Sequence, residues 1–154
     1  SPLVSFFKLS GLAALFPGSK LFARYYLGHL DPDQTQEVEI LSGAFMLVRK
    51  KVFDSVAGFD ERFFMYAEDI DLSHRIGKAG YKLMYFAGSS ITHYKGGSTP
   101  KDIRRVKLFY RAMAQFAEKQ YGKKNPYTVW LKGGIWIRGM ISATAVWLKK
   151  LTGR

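Results

Sequence analysis

The chain has 154 residues, 47% of them hydrophobic and 16% aromatic, enough to fill one core and too apolar for a disordered segment. It contains no cysteine, which excludes a disulfide framework and a thiolate zinc site and fits a reducing compartment. Its net charge of +12 is uneven: residues 1–93 hold 10 basic and 10 acidic residues, residues 94–154 hold 14 and 2. Such a basic tail suits a polyanionic partner.

The opening stretch, SPLVSFFKLSGLAALFPGSK, is apolar and Gly-punctuated, with neither a basic n-region nor a starting Met. It reads as short helix and loop within a longer chain rather than as a signal peptide. DPDQTQ, 31–36, is a loop. EVEILSGAFMLVRK, 37–50, reads as a buried strand, its apolar run interrupted by Ser42, Gly43 and Ala44; glycine in a strand marks a close approach of backbone or ligand. KKVFDSVAGF predicts a short helix stopped at Gly58, and FDERFFMY a turn with an aromatic ledge. A helix is expected from Ala67 to Ala79, ended by Gly80. YKLMYF and SSITHY read as strands. Thr99 as N-cap, Pro100 and Asp102 start a helix running to about Tyr121, and residues 126–150 form a last, Trp-containing helical segment. Helix and strand alternate, so the class is α/β or α+β.

Three acids stand at the start of the central helix. Helical spacing puts Asp69 on one face with Leu72, Ile76 and Ala79, and Asp71 on an ion-pair row with Arg75 and Lys78 that is expected to face solvent. Asp69 therefore heads the apolar face. The helix N-terminus stabilises carboxylates there, and a carboxylate at a cleft edge can act as a general base. Taken without context, the three acids also fit capping and surface charge.

The run SGAFMLVRKKVFDSVAGFDERFFMYAEDIDLSHRIGKAGYKLMYFAGSSITHYKGGST resembles the C-terminal half of family-2 glycosyltransferases of the rhamnosyltransferase-like kind. The likeness rests on a Ser-Gly-Ala strand, Arg-x-x-x-Phe, Gly-Phe-Asp-x-x-Phe-Phe, Glu-Asp-x-Asp-Leu, an Ala-Gly-Tyr ending and His-x-x-Gly-Gly, almost without gaps over residues 42–99. It implies the acceptor-side half of a GT-A, Rossmann-like nucleotide-diphospho-sugar transferase fold with C-terminal helices. The division it implies is an entry segment (1–36), the acceptor-side half (37–99) and basic C-terminal helices (100–154).

Carried over residue by residue, the resemblance makes Asp69 the base that takes the acceptor's hydroxyl proton. Glu68 orients the site or the helix start, and His93 becomes a ligand of the cation on the nucleotide diphosphate or, equally, a structural histidine. Ser42, Gly43 and Ala44 border the sugar pocket. Phe63, Phe64 and Tyr66 fit a wall behind a sugar ring or, as such residues more often do, simple core. Apart from the resemblance, Lys95, Arg104 and Arg105 lie next to a Gly pair and a helix start suited to anions and are candidates for the diphosphate's charge, though such residues are more often ordinary solvated charges. Only one base and no carboxylate for a covalent step are evident, so inversion at the anomeric carbon is the expectation. The expected partners are a nucleotide-sugar donor, a sugar or lipid-linked acceptor and a divalent cation (Mg or Mn) held mostly by the family's nucleotide-binding half. That half carries an Asp-x-Asp motif; Asp31-Pro32-Asp33 has the letters but lies in a loop too near the Ser-Gly stretch. The isolated chain is thus expected to lack most of the donor site. A second departure is Ala87-Gly88, where the family usually has proline.

In the tail, Trp130, Trp136 and Trp147 alternate with Lys132, Arg138, Lys149 and Lys150. The charges interrupt the apolar run below spanning length, which suits a helix lying on an anionic membrane surface and a peripheral place at the cytoplasmic face. A helix packed on the domain fits as well. Two other classes are weighed: a non-catalytic membrane-anchoring or assembly domain, and a basic nucleic-acid-binding module. The latter explains neither the neutral first 93 residues nor the Glu-Asp motif, so no nucleic acid is expected.

Overall fold

In a computed structural model the described residues are 4, 7, 10–24, 26–94 and 103–151. Lys95 and the Thr99-Pro100-Asp102 helix start lie outside them. The chain divides into two compact units, Pro32–Pro100 and Ser1–Asp31 with Lys101–Arg154.

In the first of these units the described sheet is a two-stranded antiparallel ribbon. Strand β1 (Gln36–Val38) pairs with β2 (Leu83–Tyr85) in the register Gln36↔Tyr85, Glu37↔Met84, Val38↔Leu83. Lys82 and Glu37 make an ion pair at 2.9 Å beside it. At the end of β2, Tyr85 donates to the Pro32 carbonyl and the Ala87 N–H to Thr35 Oγ1. A proline at position 87 would have no N–H for that bond.

The described residues depart from the expected strands at two places. Residues 39–49 carry no strand, although 37–50 reads as one, and neither do residues 89–94 of the SSITHY segment. In the first case the reason is visible in the hydrogen bonds. Leu41 and Gly43 give their N–H groups to side chains of the central helix rather than to a neighbouring strand. The expected α/β class therefore holds here only as helices with a small antiparallel sheet.

Between the strands lie helices α2 (Lys50–Ser55) and α3 (Glu68–Lys78), both where the sequence predicts them. Gly58, at φ 63°, follows the first, and Gly80, at φ 85°, terminates the second, a left-handed conformation glycine adopts without penalty. α3 is acidic in its first turn and basic in its last, which complements its dipole. Leu72 and Ile76 of α3 meet Leu83 of β2 in the core, walled by Val38, Leu41, Met46, Val48, Val52, Phe53 and Val56.

In the other unit, α1 (Leu12–Leu15) is short, and Phe22 packs edge-on against Phe7 at 4.9 Å. Helices α4 (Ile103–Tyr121) and α5 (Pro126–Leu151) are both long and joined by a four-residue turn at Gly122, φ 88°. Asn125 Oδ1 accepts the Tyr127 N–H and Pro126 takes the first helical position, a favourable start for a helix. Ala117, Leu131 and Ile135 form the shared core with Tyr110, Met113 and Tyr127. Tyr110 and Ser142 share a hydrogen bond of 2.9 Å, and Lys132 pairs with Glu118 at 2.5 Å. No described helix is long and apolar enough to cross a membrane.

Candidate active site

The site is built on the first turn of α3. Tyr66 and Ala67, immediately before it, have φ of 68° and 66°. A non-glycine residue in this region costs roughly 1–2 kcal/mol, so two in succession form a strained turn held by its surroundings. Phe63 and Ala67 are both buried, and Asp60 accepts a two-pronged guanidinium contact from Arg62 at 2.6–3.1 Å. The Asp60 carboxylate, with a smaller contribution from Asp71, raises the Arg62 pKa above its already high ordinary value. This turn delivers Glu68 and Asp69 to the start of the helix.

Asp69 is half-buried and has both carboxylate oxygens engaged. Oδ2 accepts the Gly43 N–H and Oδ1 the Ile70 N–H, each at 2.8 Å. One helical turn on, buried Ser73 accepts the Leu41 N–H at 3.2 Å. Asp69 and Ser73, four residues apart on one helix face, thus fasten the 41–43 segment at two points. The fit at Gly43 is close: a β-carbon added there would stand 3.3 Å from Asp69 Cβ and 3.6 Å from Oδ2. The structure brings together Asp69 and the Ser42-Gly43-Ala44 segment singled out in the sequence. Ser73 is the fastener that sequence reasoning missed; its i+4 spacing from Asp69 was the available signal.

The remaining candidates are more scattered. Glu68 keeps Oε2 out of solvent with no hydrogen-bond partner among the described residues, an uncommon state for a carboxylate oxygen. Ser42 and Ala44 are exposed beside Gly43. Phe63 is core, whereas Phe64 is 86% exposed and Tyr66 half-buried, so the three form no continuous wall. His93 lies exposed in an irregular segment. Among the described residues no group of three or more His, Asp or Glu side chains could hold a metal ion. The described part of this chain does not by itself fit the divalent cation that the resemblance implies.

Asp71 corrects the expectation of a solvent-facing row. It pairs with Arg75 at 2.7 Å as the spacing predicts, but its side chain is fully buried and that of Arg75 is only 20% exposed. Arg75 also donates to the Val56 carbonyl, tying α3 to the end of α2. Ala79, expected on the inward face with Leu72 and Ile76, is exposed at the helix C-cap.

A cavity of about 400 Å³ opens between the 41–49 segment, α2, α3 and β2, with Leu41, Met46, Val52, Ile76 and Leu83 among its walls and Arg49 and Lys82 as its cations. Neither Asp69 nor Gly43 lines it.

With this geometry in view, the sequence model of Glycosyl transferase family group 2 matches residues 29–152. Over 91 residues the chain is 41% identical to an N-acetylglucosaminyl-diphospho-decaprenol L-rhamnosyltransferase of Mycobacterium tuberculosis, covering 59% of this chain and 29% of that protein. It is 47% identical over 57 residues to Rhamnosyltransferase WbbL of Escherichia coli, 37% of this chain and 22% of the other. It is 32% identical over 65 residues to O-antigen chain rhamnosyltransferase WbaN of Salmonella anatum, 42% and 20%. The chain therefore spans less than a third of the length of these relatives. No solved structure gives a significant match.

Proposed function

The chain belongs to glycosyl transferase family group 2, and from that premise we propose that it is the acceptor-side portion of an inverting glycosyltransferase. In this reading residues 37–99 are part of a GT-A catalytic domain, with 1–36 preceding it and 100–154 following it in sequence as basic helices. The enzyme moves a sugar from a nucleotide-sugar to an acceptor hydroxyl in cell-surface polysaccharide or glycolipid synthesis. The relatives' names support an L-rhamnosyl donor and an acceptor sugar on a lipid diphosphate.

The observation that carries the reading is the Asp69 carboxylate, held by the Gly43 and Ile70 N–H groups at the mouth of a strained turn. A carboxylate offers about four acceptor directions, so two backbone donors fix its position and leave room for a substrate hydroxyl. Asp69 takes the proton of that hydroxyl as the oxygen attacks the anomeric carbon. The bond from that carbon to the diphosphate oxygen breaks, the nucleoside diphosphate departs, and the configuration inverts. Glu68 orients the first helical turn. Ser42, Gly43 and Ala44 border the acceptor, with Phe64 and Tyr66 beside the sugar ring. His93 would offer at most one ligand toward a divalent cation and Lys95 would lend charge toward the diphosphate, the rest of the donor site coming from outside the described residues. A lipid-linked acceptor further favours a peripheral place on the cytoplasmic face of the membrane.

The test is transfer by the full-length protein from a panel of radiolabelled nucleotide-sugars to a lipid-diphosphate-linked acceptor, with the anomeric configuration of the product read by NMR. Inversion is expected. Retention, or absence of any sugar transfer across the panel, overturns the reading.

A further inference from the structure

Helix α5 is apolar on two opposite faces, and α4 covers only one of them. Leu131 and Ile135 are buried in the core shared with α4, and Thr128 beside them is fully buried. On the other side Val129, Trp136, Ile137, Met140, Ile141 and Trp147 are all exposed, Trp136 at 66% and Trp147 at 58%. At 3.6 residues per turn these six fall on one stripe, about 27 Å long at about 1.5 Å per residue. Two large indoles on an exposed stripe are far from what a helix face meant for water carries.

The edges of the stripe have one sign of charge. Lys132, held at 2.5 Å by Glu118, borders one side and exposed Arg138 the other. α5 contains no acid, and eleven basic residues face one acidic residue between Ile103 and Leu151. No described helix can cross a bilayer. An apolar stripe with indoles, cationic edges and too much charge to span fits one partner chemistry: the boundary between acyl chains and anionic headgroups.

We propose that the outward stripe of α5, centred on Trp136, Ile137 and Met140, is a membrane-docking face that inserts into the surface of an anionic bilayer while α4 lies on its water side. This deepens the peripheral-membrane part of the preceding reading and does not use the transfer chemistry, so its failure leaves the Asp69 assignment untouched.

The experiment is flotation of the whole chain with phosphatidylcholine vesicles, with and without phosphatidylglycerol, alongside quenching of tryptophan fluorescence by lipids brominated on the acyl chain. The wild type is expected to float with phosphatidylglycerol vesicles, to be released about tenfold or more by added salt, and to be quenched. Trp136→Ser/Ile137→Ser/Met140→Ser is expected to weaken partition by at least about a hundredfold with an unchanged melting temperature. If that variant does not fold, quenching of the wild type and weaker binding by Arg138→Glu carry the test. Absence of flotation or of quenching overturns the proposal, as does a folded triple variant that floats like the wild type. Sedimentation showing a wild-type dimer that the triple variant loses, without lipid binding by either, assigns the stripe to a second copy and overturns it. Binding to a random oligonucleotide that the triple variant loses while lipid binding is absent does the same.

Discussion

Replacing Arg75 by Met tests how α3 is held in place. Asp71 is fully buried and its Oδ2 accepts from Arg75 Nε at 2.7 Å, while the same guanidinium donates to the Val56 carbonyl. Removing the cation leaves a buried carboxylate without its main counter-charge, for which about 3–5 kcal/mol is usual. Arg62, whose pKa Asp71 helps to raise, supplies some compensating charge, and Arg75 is 20% exposed, so the lower end, about 3 kcal/mol, is expected. Against a total stability of about 5–15 kcal/mol that is a large loss. Urea denaturation of the wild type, Arg75→Met, Asp71→Asn and the double variant forms the assay. The double variant is expected to be less damaged than the two single losses added together, by about 1.5 kcal/mol or more. Additive effects, or an Arg75→Met loss under about 0.5 kcal/mol, would refute a buried, coupled pair.

Gly43→Ala places a methyl 3.3 Å from Asp69 Cβ, so the carboxylate must move by a few tenths of an ångström; transfer by the full-length enzyme is expected to fall about tenfold with little change in melting temperature. Unchanged transfer would show that the Gly43–Asp69 contact does not set the base's position. Ser73→Ala removes the acceptor for the Leu41 N–H and is expected to cost about 1 kcal/mol in urea unfolding, with faster amide exchange at Leu41. The Glu118 carboxyl lies below its ordinary value of 4.5 because Lys132 hydrogen-bonds its ionised form. A depressed carboxylate stabilises fully above the unfolded value and loses that effect as pH falls through the folded one. The melting-temperature gap between wild type and Glu118→Gln is therefore expected to be full at neutral pH and to close below about pH 4.5; a gap that widens in acid contradicts the pairing.

The helices were legible in the sequence, and the reasons are local. Gly58, Gly80 and the Pro126 start mark ends by their own backbone preferences, and the acids and bases of α3 sit at the ends its dipole favours. Residues 39–49 were misread because a continuous apolar run looks the same whether its N–H groups meet a strand or the side chains of Ser73 and Asp69. Asp71 was misplaced for a related reason. Spacing identifies Arg75 as its partner but does not say which way the pair faces, and here the Val56 carbonyl draws the guanidinium inward. For the site, the resemblance singled out Asp69 and the Ser-Gly-Ala segment as separate motifs, and the structure joins them at Gly43. His93 and Phe64 remain apart from that contact because they lie on exposed, irregular segments.

The most direct measurement is transfer by Asp69→Asn in the full-length enzyme, with donor affinity measured on the same preparation. Asparagine keeps the size of the side chain and an oxygen for the Gly43 N–H, but its NH2 gives up the bond from the Ile70 N–H and it cannot take a proton. The kcat is expected to fall by about 10²–10⁴-fold with donor affinity near that of the wild type, and the lost bond to cost about 1 kcal/mol of stability, too little to unfold the enzyme. Transfer at a near-normal rate would contradict the assignment of Asp69 as the base.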